Sequence, residues 1–119
     1  MLMSSDEETP VAITVSLLAG ESPLSEQVGY GIEEEGVPFT TRASDNDDLT
    51  IAAYKAACES GLRIGVAVGE HGIVLHHQRL PRNEPLSTVP DPSVSVARLV
   101  GANAARLAKR TPLKPIETS

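Results

Sequence analysis

Aromatic side chains are nearly missing from this 119-residue chain. It has no tryptophan, one phenylalanine and two tyrosines, 3% in all. A surface for single-stranded nucleic acid needs rings on which bases stack, so that class of function is excluded. The core must instead be built from Val, Ile, Leu and Ala, which suits a sheet covered by small-residue helices. Positive charge is also short. Ten Lys and Arg stand against sixteen Asp and Glu, a formal net charge of −6. A phosphate-tracking surface requires the opposite sign. Cysteine occurs once, as Cys58, so no intrachain disulfide can form and a reducing, cytoplasmic setting is expected. No apolar run is long enough to cross a bilayer. Residues 1–10 are acidic and polar, unlike a secretory signal.

What is present fits one globular domain. Hydrophobic residues make up 40% and charged residues 22%, the usual balance for a soluble fold. A chain of this length buries roughly 65% of its unfolded surface. Charge is uneven: most acids precede residue 60, while Arg98, Arg106, Lys109, Arg110 and Lys114 lie in the last quarter. A basic helix face is therefore available for an acidic partner.

The expected organisation is a disordered acidic leader over 1–10, a single domain over 11–112 and a loose tail over 113–119. Val11 to Val15 reads as a strand buried on both faces. Ser22-Pro23 is a cap followed by a first-turn proline, opening a helix to about Glu35. Gly29 and Gly31 inside it cost about 0.8–1 kcal/mol each relative to Ala, a cost that close approach to the sheet or to another chain would offset. A second strand follows over 38–43. A helix from about Asp48 to Ser60 carries an inner stripe of Leu49, Ala52, Ala53 and Ala56. Ile64 to Val68 is a buried strand, and Gly69-Glu70-His71-Gly72 turns tightly into an antiparallel strand over 73–77. A short edge strand is expected near 86–89. The last helix starts at Asp91-Pro92 and ends before Pro112, with Val96, Leu99, Val100, Asn103 and Leu107 on one stripe. This order implies α/β, a three-layer α/β/α arrangement on a mostly parallel mixed sheet with an antiparallel hairpin.

Catalytic constellations do not assemble. His76 and His77 are adjacent on a strand and point to opposite faces, so they cannot share a metal, and no H-x-x-x-H or paired cysteine makes a zinc site. His71 is expected to be exposed. Cys58 lies late in a helix beside Glu59, a setting that does not activate a nucleophile, and reads as a small packing residue. Gly29-Tyr30-Gly31 does not follow a strand and lacks the third glycine of a nucleotide fingerprint. Asp45, Asp47 and Asp48 are not matched by an acidic pair after the first strand, where Ser16 and Leu17 stand, which excludes a receiver domain. Ser16 lacks the G-x-S-x-G turn of a hydrolase. Asn103, on an apolar stripe, needs partners for a buried amide, and backbone groups of a neighbouring loop are expected to supply them.

The unusual stretch is Gly31-Ile32-Glu33-Glu34-Glu35-Gly36-Val37-Pro38-Phe39. Gly36 occupies the position that ends a helix with positive φ, Val37 can pack back on Ile32, and Pro38 forbids continuation. Three carboxylates sit at the negative end of the helix dipole, which disfavours them. Leu24, Val28 and Ile32 mark the buried side. Glu34 lies about 200° around the helix from Ile32 and is the carboxylate best placed to meet a partner or a cation.

This stretch, with Asn103-Ala104-Ala105-Arg106-Leu107, resembles the small subunits of diol and glycerol dehydratase reactivases over about 11–112. The resemblance implies a non-catalytic accessory subunit with a three-layer α/β/α fold like that of the dehydratase medium subunit. It implies a large actin-like ATPase subunit as partner, two large and two small subunits per assembly, and release of damaged cobalamin from the dehydratase by subunit exchange. It also implies a Mg²⁺ contact at Glu34 where the large subunit binds; Glu33 and Glu35 beside it, and Arg106, less buried by periodicity, are expected at that interface. Alone, the chain offers too few ligands to hold Mg²⁺ tightly, and no other cofactor is expected. The chain departs from the family pattern at Arg110, where glycine is common. Self-association of the isolated subunit and residence in a bacterial microcompartment are compatible with the resemblance. The alternatives are the dehydratase medium subunit itself, usually longer, and a small ligand-binding domain using the crevice at the strand ends.

Overall fold

The computed structural model describes residues 11–116. The expected leader over 1–10 lies outside them, as do residues 117–119. The elements run β1 (Ile13–Leu17), α1 (Pro23–Glu34), β2 (Phe39–Ala43), α2 (Leu49–Glu59), β3 (Ile64–Val68), β4 (Gly72–His77), β5 (Ser87–Pro90) and α3 (Val94–Lys109). The five strands lie in the order β2-β1-β3-β4-β5. β1 pairs in parallel with β2 and β3, while β3–β4 and β4–β5 are antiparallel. The three-layer mixed α/β fold expected from the sequence is the one observed.

Alternation along the strands divides the core in two. Ile13, Val15 and Leu17 of β1, Ile64, Val66 and Val68 of β3, and Ile73 and Leu75 of β4 face α1 and α3 and form the main core. Ala67 and Val74 face the other way and pack on Ala52 and Ala53 of α2. Fully burying one such Val or Ile side chain stabilises the fold by about 1.5–3 kcal/mol. α2 sits close because residue 65 is glycine: a Cβ there would lie 2.3 Å from Ala53 O and from Ala57 N.

α1 opens with a capping box between Ser22 and Ser25. It ends as its sequence dictates. Gly36 takes φ 78°, its N–H donates to Glu33 O at 2.9 Å, and Val37 N–H points at Ile32 O at 3.5 Å. Ile32 and Val37 are both buried. The two interior glycines are explained differently. Gly29 lies under the Phe39 ring, 2.8 Å from where a Cβ would be, and Gly31 lies against the backbone of α3.

α3 departs from expectation at its start and ends, as expected, before Pro112. Its cap is Ser93, whose Oγ accepts from Val96 N–H at 3.2 Å, not Asp91, which stands outside the helix at φ 45°. Three cap-forming and φ-restricting residues in a row, Asp91-Pro92-Ser93, permit either start. Its buried residues run without a break from Val100 to Ala105, while Leu99 and Leu107 are only half-buried. A helix packed on the sheet, on α1 and on the C-terminal segment has no single inner stripe. Arg110 closes the helix in left-handed conformation, φ 61°, the conformation a glycine adopts without cost. The segment expected to be loose beyond Pro112 is held at Lys114. Asn103 Nδ2 donates to Lys114 O at 2.9 Å and Lys114 N–H donates to Asn103 Oδ1 at 2.6 Å. Asn103 is thus the buried fastening amide its position calls for.

Candidate functional site

α1 and α3 cross where Gly31 meets Arg98 and Ala102, and Gly101 meets Val28. That close crossing brings the acidic end of α1 against the basic residues of α3, and the three glutamates separate. Glu33 is exposed and has no ionic partner among the described residues. Glu34 Oε2 accepts a hydrogen bond from Arg98 Nη2, and both side chains remain about half exposed (51% and 46%). Glu35 is only 14% exposed. It accepts from Arg106 Nε at 3.2 Å and from Lys109 Nζ at 2.9 Å, and Lys109 also donates to the Glu35 carbonyl at 2.8 Å. Carboxylates disfavoured by their own helix are thereby matched by cations from the neighbouring one.

The electrostatics follow the pairing. The hydrogen bond from Arg98 holds the Glu34 carboxyl below the ordinary glutamate value, assisted by the charges of Arg98 and Lys114 and opposed by partial desolvation. Glu35 is lowered first by the hydrogen bond from Lys109 and then by that from Arg106. Of the residues singled out for a partner interface, Glu35 and Arg106 are therefore engaged within the chain. Arg106 also donates to Pro112 O at 3.0 Å. Glu34 stays accessible, and Arg98 is the neighbour sequence reasoning did not attach to it. The signal that could have found it is the pair of glycines, Gly31 and Gly101, which mark where two helices touch.

The remaining candidates do not converge. His76 is fully buried; its Nδ1 accepts from His77 N–H at 2.9 Å and its Nε2 donates to Arg82 O at 3.0 Å. Its ring stands edge-on to Tyr54 at 5.3 Å. His77 is half-buried and lowered by burial, with Arg79 and Arg63 adding to the effect. His71 is exposed beside Asp91. Cys58, expected to pack, is exposed on α2 instead, because it lies about 200° around the helix from the inner residue Ala56. Asp48 caps α2. The crevice at the strand ends is open and lined by Leu18, Asp47, Leu49 and Glu70 among others. No group of three His, Cys, Asp or Glu among the described residues could hold a metal ion, and no helix among them is long and apolar enough to cross a membrane.

The fold and this surface define a class: a small three-layer α/β domain whose distinctive feature is a charged, partly apolar face on two crossed helices. Comparison with known proteins is specific. The family model described as dehydratase medium subunit matches residues 10–114. The propanediol dehydratase-reactivating factor small subunit of Citrobacter freundii is 38% identical, covering 94% of this chain and 97% of that one. The diol dehydratase-reactivating factor small subunit of Klebsiella michiganensis is 35% identical over 98% and 93%. Among solved structures, diol dehydratase-reactivating factor complexed with ADP and Mg²⁺ superposes with a TM-score of 0.81 at 35% identity, covering 87% of this chain and 97% of that one. Glycerol dehydratase reactivase superposes with a TM-score of 0.84 at 30% identity, covering 91% and 100%. The chain belongs to the dehydratase medium subunit family and, within it, to the small subunits of diol and glycerol dehydratase-reactivating factors.

Proposed function

We propose that this chain is the non-catalytic small subunit of a reactivase serving an adenosylcobalamin-dependent diol or glycerol dehydratase. It binds a large subunit that hydrolyses ATP, two of each per assembly. Its departure frees the surface through which the large subunit engages the dehydratase and lets damaged cobalamin escape. The observation that carries this reading is the near-full-length likeness to reactivating-factor small subunits.

The face offered to the large subunit centres on Glu34 and Arg98. Tyr30, one helical turn before Glu34 on α1, is 47% exposed, and Val94, one turn before Arg98 on α3, is 50% exposed. An apolar pair flanking a half-exposed ion pair suits an interface that forms and dissolves. Mg²⁺ fits this face only as a shared ligand. It requires near-octahedral oxygen coordination. Arg98 already donates to Glu34, so Glu34 would hold the cation only together with oxygen ligands from the large subunit and water. When bound there, the cation would bridge the two subunits electrostatically.

A reactivation assay tests the reading. Glycerol-inactivated dehydratase, ATP, Mg²⁺ and intact adenosylcobalamin are mixed with the large subunit, with or without this chain. Recovery of turnover that requires this chain supports the proposal. Recovery by the large subunit alone, undiminished, overturns it.

A further inference from the structure

β2 is the end strand of the sheet, and no strand among the described residues pairs with its outer edge. Pro38 O accepts from Ile13 N–H and Ser44 N–H donates to Leu17 O. Parallel pairing alternates every second residue, so Thr40 and Arg42 bond to β1, while Phe39, Thr41 and Ala43 turn their N–H and C=O groups outward. Thr40 to Ala43 are all exposed. The other end of the sheet is guarded differently: β5 is four residues long and ends in Pro90, a usual protection of an edge.

Beside that edge runs a groove between α1 and β2. Its floor is Leu17, Gly29, Phe39 and the flank of Tyr30. Its volume is about 270 Å³, below that of ordinary small-ligand pockets but enough for one or two side chains. Its rim carries Glu21, Glu26 and Glu33. None of the three has an ionic partner among the described residues, and no Lys or Arg lines the groove. This contrasts with Glu34 and Glu35, which α3 neutralises.

We infer that β2 and this groove dock an extended, basic segment of a partner protein as a sixth strand. Backbone bonding to Phe39, Thr41 and Ala43 supplies the pairing, an apolar side chain enters over Phe39, and Lys or Arg residues meet the rim. Charge selects this occupant over the others. Residues 1–10 contain Asp6, Glu7 and Glu8 with no Lys or Arg, and residues 117–119 are Glu-Thr-Ser, so neither of these segments is basic. A second copy paired through β2 about a two-fold axis normal to the sheet would bring both sets of Glu21, Glu26 and Glu33 along one face. The strip adjoins the Glu34 surface at Tyr30, but its three carboxylates take no part in the pairing with α3, and the inference goes beyond the reading built on that surface.

The test is a titration of the full chain, followed by backbone amide NMR, with a capped peptide of alternating valine and lysine, and with its valine–glutamate counterpart as control. The expected result is saturable binding of the lysine peptide, weakened by salt, with the Phe39, Thr41 and Ala43 amides shifted and protected from exchange. The double variant Glu26→Lys, Glu33→Lys should lose about tenfold in affinity. Thr41→Pro, which removes one outward donor and leaves the β1 ladder intact, should abolish binding; should it fail to fold, the charge variant decides. Equal binding of both peptides, absence of shifts on β2, or protection of the same amides by dimerisation of the free chain would each overturn the inference.

Discussion

Gly31 of α1 stands so close to α3 that a Cβ would lie 2.1 Å from the carbonyl oxygen of Arg98. The same Arg98 reaches back to hold Glu34, one turn along α1 from Tyr30. The crossing and the ion pair are therefore one device, and disturbing the first should disturb the second. Gly31→Ala, or Gly101→Ala on the facing helix, forces the backbones apart. Overpacking of this kind costs about 1–3 kcal/mol. Thermal unfolding should show the loss, and the Glu34 carboxyl should titrate nearer its ordinary value in ¹³C NMR. A stability equal to wild type would mean the helices do not touch as described.

Asn103 and Lys114 make the second testable contact. Asn103 is buried and bonds both backbone groups of Lys114. Asn103→Leu leaves the Lys114 N–H without its acceptor, and losing such bonds costs about 1–3 kcal/mol. Hydrogen exchange at the Lys114 amide should accelerate more than global unfolding accounts for. An unchanged exchange rate at that amide would show that the segment is not fastened there.

Arg110 holds left-handed backbone at φ 61°, while its N–H still donates to Leu107 O and Thr111 N–H to Arg106 O. The C-terminus of α3 is thus a glycine-type closure made with an arginine. Arg110→Gly relieves a backbone penalty of about 1–2 kcal/mol, less the entropy glycine adds to the unfolded chain, about 0.4–1 kcal/mol. The variant should melt at the same temperature or higher. A clear drop in melting temperature would contradict the assigned conformation.

Acid should weaken the fold through Glu34 and Glu35. Both carboxyls are held below the ordinary value of 4.5 by hydrogen bonds from α3 cations. A depressed folded-state pKa gives stability that is fully present above the unfolded value and is lost as pH falls through the folded one. Stability should therefore be level in this respect above pH 4.5 and fall below it. The Glu34→Gln, Glu35→Gln double variant should show a shallower fall in denaturant midpoint over that range. Identical pH profiles for the two proteins would remove these pairs from the account.

Local chemistry was legible and non-local pairing was not. Gly36-Val37-Pro38 announces the end of α1 because the signals lie within three residues, and Gly69 to Gly72 announces the β3–β4 hairpin for the same reason. The layer order followed from the succession of elements. The partners of Glu34 and Glu35 come from a helix more than sixty residues on, through a crossing fixed by Gly31 and Gly101. No single segment encodes that. Cys58 is a different lesson: helical spacing from Ala56 already placed it outward, and its small size was the wrong guide. The start of α3 was expected at Asp91 and lies at Ser93, because the two are equally good caps and only packing chooses between them.

The central claim is that the face around Glu34 and Arg98 binds a large subunit with a shared Mg²⁺. The direct measurement is the affinity of the purified chain for the large reactivase subunit, with Mg²⁺ and with chelator, for wild type and Glu34→Ala. The account predicts tight association of wild type in Mg²⁺, loosened both by chelator and by Glu34→Ala, with chelator having little further effect on the variant. Wild-type binding that is indifferent to Mg²⁺ and to Glu34 would contradict it.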